Sequence, residues 1–360
     1  MIKQLKTLTT SIIAGANTVT AALMLMAGFS DRIDPTSHPL LACVGLSFPI
    51  FLCLNLAFLV FWVFVKWRMA AIPTVAFLVA YQPIRTYIPL NRSKEAPPEA
   101  MKVLSYNVQG FNAQSDDQDF NDIINYIKES GADIVCLQEA MFGKNDVDSL
   151  LNPIYPHSSI TRIGERQDNT LALFTRYDIV RTESIEYASV GNGSVAYYLK
   201  KGRDTILVVN NHFESNRLTP DEKHRYKEML KGEMEQDTAR EESRKLLHKL
   251  ADAAKRRAPQ ANAVHKYIET HKRYPTIVCG DFNDNPISYT RRTVAKGLTD
   301  CYISSGNGVG LSYNQKGFYV RIDNIMCSQD YAAYNCKVDN KIESSDHYPI
   351  FCWLKKQEKP

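Results

Sequence analysis

The sequence predicts a layered α/β domain preceded by an N-terminal membrane-spanning helical segment. Three observations point there. The first 90 residues hold long apolar stretches with very little charge. From residue 101 short strand-type runs dominate, with few helices between them. Polar residues recur where those runs stop. Many strands with few intervening helices pack as sheets laid on one another.

Residues 8–29 and 39–65 contain no charged side chain. A helix needs roughly 20 apolar residues to cross a bilayer core, and both stretches meet that length. Residues 69–90 form a third apolar stretch, interrupted by Pro73, Pro83 and Arg85, whose charge sits near the end and can snorkel outward. The region 1–90 therefore reads as three spans. A cleaved signal peptide is the competing reading of the first stretch, since Lys3 and Lys6 precede it. Its apolar run is long, however, and a stronger one follows at once. Lys and Arg near the ends set the orientation. Lys3 and Lys6 precede the first span, Arg32 alone follows it, and Lys66 and Arg68 follow the second. This pattern puts the N-terminus inside. Three spans then leave the rest of the chain on the extracytoplasmic side of a multi-pass membrane protein, whereas two would leave it in the cytoplasm. Arg85, Arg92 and Lys94 count against the first outcome.

Residues 91–100, NRSKEAPPEA, are polar with a Pro pair and read as a linker. Residues 1–94 carry eight Lys or Arg and two acids, a formal +6, while the remainder, with 35 basic and 37 acidic residues, is −2. The basicity belongs to the membrane segment, which argues against strong binding of long nucleic acid, a process driven by phosphate neutralisation. The cysteines show neither zinc spacing nor a disulfide framework, and Cys136 and Cys279 lie in apolar strand-type runs.

After the linker, MKVLSYNV reads as a strand. Phe120, Ile123, Ile124 and Ile127 follow at helical spacing, ended by Gly131. ADIVCLQEA is a short buried-type strand, and further strands are expected at 170–175, 179–187, 194–200, 205–212, 275–280, 319–327 and 348–354. Residues 220–272 form a charged helical insert with a narrow stripe at Leu246, Leu247, Leu250 and Ala254, and Pro259 is expected to break or kink it. Lys255, Arg256 and Arg257 read as a solvated face, or as contacts for acidic lipid or phosphate.

The chemistry lies at the strand ends. Asn107, Glu139, His212, Asp281 and Asn283 each stand where an apolar run stops. Asp323 is embedded between Ile322 and Ile325, and Asp346 and His347 precede the last strand. Each has an ordinary explanation alone: Asn107 as a turn residue, Glu139 as a cap, His212 as a structural imidazole, and 281–285 as a turn. Asp323 is harder to explain that way, because a buried carboxylate needs a partner. Six such places in one domain change the balance, since strand ends are where catalytic groups converge in α/β folds. Carboxylates and carboxamides suit a hard cation such as Mg²⁺, which takes one or two carboxylates plus water and substrate phosphate. Histidines beside such a cation suit phosphate-ester hydrolysis.

SYNVQGF, LQEA, NNHFES, GDFNDNP, RIDNIMCS and SSDHYPIF, in this order across residues 101–356, resemble the successive signatures of the endonuclease/exonuclease/phosphatase superfamily. The resemblance implies a DNase I-like four-layer α/β/β/α sandwich and a divalent metal, usually Mg²⁺, with Mn²⁺ as an alternative. It implies Glu139 as the main metal ligand, with Asn107 and Asp346 nearby. It implies that Asp281 orients or deprotonates the attacking water and that Asn283 holds a phosphate oxygen. His347 then acts on the phosphate or the nucleophile, with its ring fixed by Asp323, and His212 binds phosphate or protonates the leaving group. Asn211 stands where the family usually has Thr. The acidic residue that some nucleases pair with the histidine at the position of His212 has no counterpart that the sequence identifies.

The expected function is thus a membrane-anchored, divalent-metal-dependent phosphoesterase. Its partners would be the lipid bilayer and a phosphate ester, whether nucleic acid, phospholipid headgroup or sugar phosphate; no protein partner is evident. The alternative is a catalytically inactive, membrane-tethered binding module on the same fold, which would be expected to have lost site residues.

Overall fold

The computed structural model describes residues 2–112, 117–141, 147–167, 169–315 and 317–357. The N-terminal segment contains helices α1 (Ile2–Gly28), α2 (Pro39–Ala42), α3 (Phe48–Val65), α4 (Ala71–Val79) and α5 (Tyr81–Tyr87). Two helical stretches, Gln4–Arg32 and Pro39–Val65, are long and apolar enough to cross a bilayer. The third expected span is not one helix. It divides at Ala80 into α4 and α5, because Pro83 has no N–H to bond back into the preceding turn.

These helices expose apolar side chains and bury a small polar cluster within a mainly apolar interior. Leu8, Ile12, Leu56, Val60 and Leu78 are exposed. Buried Asn17 donates to Asn55 Oδ1 at 3.2 Å and accepts from Trp62 Nε1 at 3.0 Å. An apolar exterior with polar contacts between helices is compatible with a membrane segment.

The chain continues through β1 (Met101–Asn107), α6 (Asp117–Glu129), β2 (Ile134–Gln138), α7 (Val147–Leu151), β3 (His157–Ile163), β4 (Asn169–Thr175), β5 (Asp178–Ser184), β6 (Gly193–Lys201) and β7 (Asp204–His212). Then come α8 (Pro220–Lys231), α9 (Gln236–Thr270), β8 (Thr276–Asp281), α10 (Tyr289–Val294), β9 (Thr299–Asp300), α11 (Cys301–Ser305), β10 (Asp323–Cys327), β11 (Tyr331–Val338) and β12 (Ile350–Lys356). The strands form two six-stranded mixed sheets, ordered β11-β12-β1-β2-β4-β3 and β5-β6-β7-β8-β10-β9.

Strand alternation builds the layers. Val103, Cys136, Leu173, Val208, Cys279 and Ile325 meet between the sheets. Leu104, Val135 and Phe174 face outward onto Ile123, Ile124 and Ile127 of α6. Leu207, Val209 and Val278 face outward onto Ala261, Val264 and Ile268 of α9. The four-layer sandwich follows directly, and because both faces of the central strands are covered, those strands read as continuous apolar runs.

Several expectations change. β3, β9 and β11 were not foreseen, and the strand expected at 319–327 begins only at Asp323. α9 runs unbroken through Pro259. Its buried neighbours Ala258 and Ala261 dock on the sheet, and that packing holds the helix across the missing hydrogen bond. Arg257 is neither solvated nor free for lipid. It is 3% exposed and pairs with Asp284 at 3.2 Å, while also donating to Glu214 O and Asn216 Oδ1. The stretch read as a linker begins docked, with Asn91 Nδ2 donating to Gly306 O at 2.6 Å and Ile303 O at 3.0 Å.

Candidate active site

Strand register assembles the site. In the second sheet His212 pairs across from Asp281, and Asp281 across from Asp323, so the ends of β7, β8 and β10 lie level. In the first sheet Asn107 pairs with Gln138, which puts Glu139 just beyond it. This level row depends on Gly280. Its φ is +130°, and a Cβ there would stand 1.9 Å from Asn211 O, so the strand can run this close to β7 only without a side chain. Glu139 and Asn283 are non-glycine residues with φ of 51° and 52°. Such strained backbone is tolerated where it aims a side chain.

All eight expected site residues converge around Asp281, which is buried. Its Oδ2 receives Asn107 Nδ2 at 3.1 Å, a bond that joins the two sheets. Asn283 Nδ2 approaches the same oxygen at 3.2 Å, His347 Nε2 at 3.6 Å and His212 Nε2 at 3.7 Å. Asp281 Oδ1 accepts from the Asn283 backbone N–H at 2.8 Å. Burial pushes the Asp281 carboxyl up to about 6, against the opposing pull of His347.

His347 bridges two carboxylates, with Nδ1 2.9 Å from Asp323 Oδ2. Burial alone would lower its pKa, but the charges of Asp323 and Asp281 outweigh that and push it up to about 10. The ring is therefore an imidazolium at neutral pH, with both nitrogens donating. Asp281, Asp323 and His347 form a compact group of metal-capable side chains.

His212 is held differently. Its Nδ1 lies 3.1 Å from Asn169 Nδ2. The Asn169 amide is oriented by two other bonds: Nδ2 donates to Gly191 O at 3.1 Å, and Oδ1 accepts from Thr170 N at 2.7 Å. An amide N–H₂ facing Nδ1 makes that nitrogen an acceptor, which leaves Nε2 to carry a proton toward Glu139 and Asp281. The partner that the sequence could not supply is thus a carboxamide, not an acid.

The expected metal ligands form an oxygen-rich edge. Asn107 Nδ2 also donates to Glu139 Oε1 at 3.1 Å. Asp346 is half-buried, and its carboxyl is raised by burial, drawn back down by His347 and raised further by Glu139. Among the described residues, no Lys or Arg lies within ion-pair distance of Glu139, Asp281, Asp323 or Asp346. Converging carboxylates with imidazoles beside them have the oxygen-rich chemistry that a hard divalent ion takes. Asn107 turns Nδ2 toward Glu139, while its oxygen accepts from Gln109 N. Asn283 departs from its expected role. It spends both amide hydrogens on Phe213 O and Asp281, which fixes Asp281, and must release one to reach a phosphate oxygen.

Three contributors escaped the sequence reading. Tyr313 packs edge-on against His347 with ring centroids 5.2 Å apart. Lys223, from α8 of the insert, donates to Tyr313 Oη at 2.7 Å and brings a cation to the rim. A lysine in a highly charged helix carries no signal of this in sequence. Asn169 carried the same signal as its partners, a polar residue at a strand terminus, and could have been found.

A model described as the Endonuclease/Exonuclease/phosphatase family matches residues 104–347, and a second, described as a domain of unknown function, matches residues 10–87. No curated protein matches the chain. Among solved structures, an endonuclease/exonuclease/phosphatase family protein from Bacteroides thetaiotaomicron is 18% identical with TM-score 0.52, covering 72% of this chain and 98% of its own. The human Nocturnin catalytic domain with bound sulfate is 16% identical with TM-score 0.51, covering 72% and 95%. A mannosyl-6-phosphatase from B. thetaiotaomicron is 19% identical with TM-score 0.50, covering 71% and 99%. At these identities the likeness is one of fold.

Proposed function

The chain belongs to the endonuclease/exonuclease/phosphatase family, and on that premise we propose a membrane-anchored, Mg²⁺-dependent hydrolase of phosphate esters. One observation carries the reading: a single buried oxygen, Asp281 Oδ2, is approached by Asn107, Asn283, His212 and His347 from both sheets. A carboxylate so surrounded is poised to take a proton from a water attacking phosphorus. With its pKa near 6 it is ionised at neutral pH and still basic enough to accept that proton.

His347, held as a cation by Asp323, donates from Nε2 to a phosphate oxygen and stabilises the negative charge that grows during attack. The Nε2–H of His212 donates to a second oxygen or to the leaving group. Asn107 and Asn283 keep Asp281 in place. A bound Mg²⁺, held by Glu139 and Asp346 with Asn107 adjacent, would screen the phosphate charge and polarise the P–O bonds.

Three features support a three-pass anchor with the catalytic domain outside the cytoplasm. Met24 and Ala27 of α1 pack with Phe48 of α3 and with Ala80 and Tyr87. The chain therefore approaches the domain along α1, leaves along α3 and returns along α4 and α5. Residues 71–87 would cover roughly 25 Å at 1.5 Å per residue, close to the thickness of a bilayer core. Lys3, Lys6, Lys66 and Arg68 then share the end away from the domain, as positive residues on the cytoplasmic side do.

The test is a substrate panel. The full chain in lipid nanodiscs with Mg²⁺ is offered DNA, RNA, a phospholipid, and a sugar phosphate. Cleavage of at least one, lost in Asp281→Ala, is expected; cleavage of none would reject the reading.

A further inference from the structure

A cleft of about 520 Å³ opens beside the site, within the range of pockets that enclose small molecules. Its walls come from three places. One is the connection between α1 and α3, with Cys43 and Leu46, together with Ile50 in the first turn of α3. The second is the helical insert, with Leu246, Leu250 and Ala254. The third is the 317–322 loop with Phe318 and the turn holding Asn283. Residues 35–50 lie outside the phosphoesterase-family match and inside the 10–87 match to a domain of unknown function, so this wall comes from the N-terminal domain.

The cleft joins two regions of known character. At one end, Ile50 lies in the first turns of α3, within a stretch apolar enough to span a bilayer, and is 61% exposed. At the other end, Asn283 is hydrogen-bonded to Asp281. The walls are held together by direct packing. A Cβ on Gly45 would stand 2.4 Å from Ile287 O. Asp31 pairs with Arg292 at 3.4 Å, Arg321 Nη2 donates to Thr86 O at 2.7 Å, and Cys43 packs on Ala251 and Ala254. The domain is seated on its anchor with the cleft between them.

Charge selects the occupant. Among the described residues, the charged lining side chains are Arg257 and Asp284, and these neutralise each other at 3.2 Å. A nucleic-acid strand requires unpaired cations along its path, whereas a hydrocarbon chain requires none. A cation, Lys223, sits instead at the rim, bonded to Tyr313, which packs on His347, where a phosphate would lie.

We propose that this cleft binds the hydrocarbon chain of a lipid phosphoester drawn from the bilayer at the start of α3, so that its phosphate meets His347 and Asp281. The proposal rests on the phosphoesterase reading for the fate of the headgroup and on the cleft alone for the tail.

The experiment uses the full chain in nanodiscs with two arms. In the first, kcat/KM is measured for methyl and hexadecyl p-nitrophenyl phosphate with Mg²⁺. The hexadecyl ester is expected to be favoured by roughly 100-fold from methylene burial, and Leu250→Trp or Leu46→Trp, each filling the cleft from a different wall, to cut that ratio by about ten-fold. In the second, binding of hexadecyl phosphate to the Asp281→Ala protein is measured directly, with and without the filling substitution. Hydrolysis with no chain-length preference in native protein, or a ratio unmoved by both filling variants, overturns the tail site and leaves the phosphoesterase reading intact. No hydrolysis of either ester, with hexadecyl phosphate binding that is weakened by the filling variants, supports the tail site and overturns the catalytic reading. Absence of such binding overturns the tail site.

Discussion

The Nδ1 of His347 lies 2.9 Å from Oδ2 of Asp323, with both side chains buried. This contact fixes the ring and aims Nε2 at Asp281, and the two carboxylates carry the imidazole from its ordinary 6.5 up to about 10. A pKa raised on folding stabilises the native state fully below the unfolded value and loses that contribution as pH climbs through the folded one. In metal-free protein, His347→Gln should therefore cost stability at pH 6, with the deficit shrinking between pH 6.5 and 10. Urea denaturation of both proteins across that window measures it, and a deficit independent of pH would contradict a charged ring.

Asp281 shows the same sign with the opposite consequence. Its carboxyl is raised by burial to about 6, so the native state favours the protonated form, and the stabilisation is lost as pH rises through 6. Asp281→Asn should be more stable than native in metal-free protein at pH 7.5 and should lose that advantage below pH 4. It should also lower kcat by about 10²–10⁴-fold, the usual worth of a general base. Thermal melts at the two pH values and one rate measurement decide both points.

Gly280 sets the spacing of β7 and β8. A methyl group there meets Asn211 O at 1.9 Å with φ at +130°. Gly280→Ala should destabilise the domain by on the order of 3 kcal/mol or more, or push His212 and Asp281 apart. Chemical denaturation should show a lower midpoint; an unchanged midpoint with unchanged activity would contradict the register described.

The proposed three-pass anchor makes a cellular prediction. A reporter fused at the C-terminus should be active only on the extracytoplasmic side, because in that proposal α4 and α5 return the chain to the face opposite Lys66 and Arg68. Removing residues 66–87 should destroy that readout. A cytoplasmic signal from the intact fusion would favour two crossings.

Much of the fold was legible because the central strands are covered on both faces and so stand out as continuous apolar runs. β3 and β11 were missed for the converse reason: both are half-exposed edge strands, and HSSITRI and YAAYNCKV mix polar with apolar residues. The site was legible because each of its acids, amides and histidines interrupts or ends such a run. What the sequence could not supply was who holds whom. Arg257 looked like part of a basic cluster, yet it is consumed by Asp284. Lys223 looked like one charge among many, yet it reaches the rim. Asn283 looked like a phosphate ligand, yet it is tied to Asp281. These are contacts between distant segments, and single-sequence patterns carry no record of them.

The central claim is that Asp281 and the oxygen-rich edge beside it hydrolyse phosphate esters with a divalent ion. Release of p-nitrophenol from bis(p-nitrophenyl) phosphate by the full chain in nanodiscs, with Mg²⁺ or Mn²⁺ and again after EDTA, tests it most directly. The account predicts turnover with either metal, none in EDTA, recovery when metal is returned, and a loss of at least about 100-fold in Asp281→Asn. Turnover that survives EDTA, or that Asp281→Asn leaves intact, would contradict it.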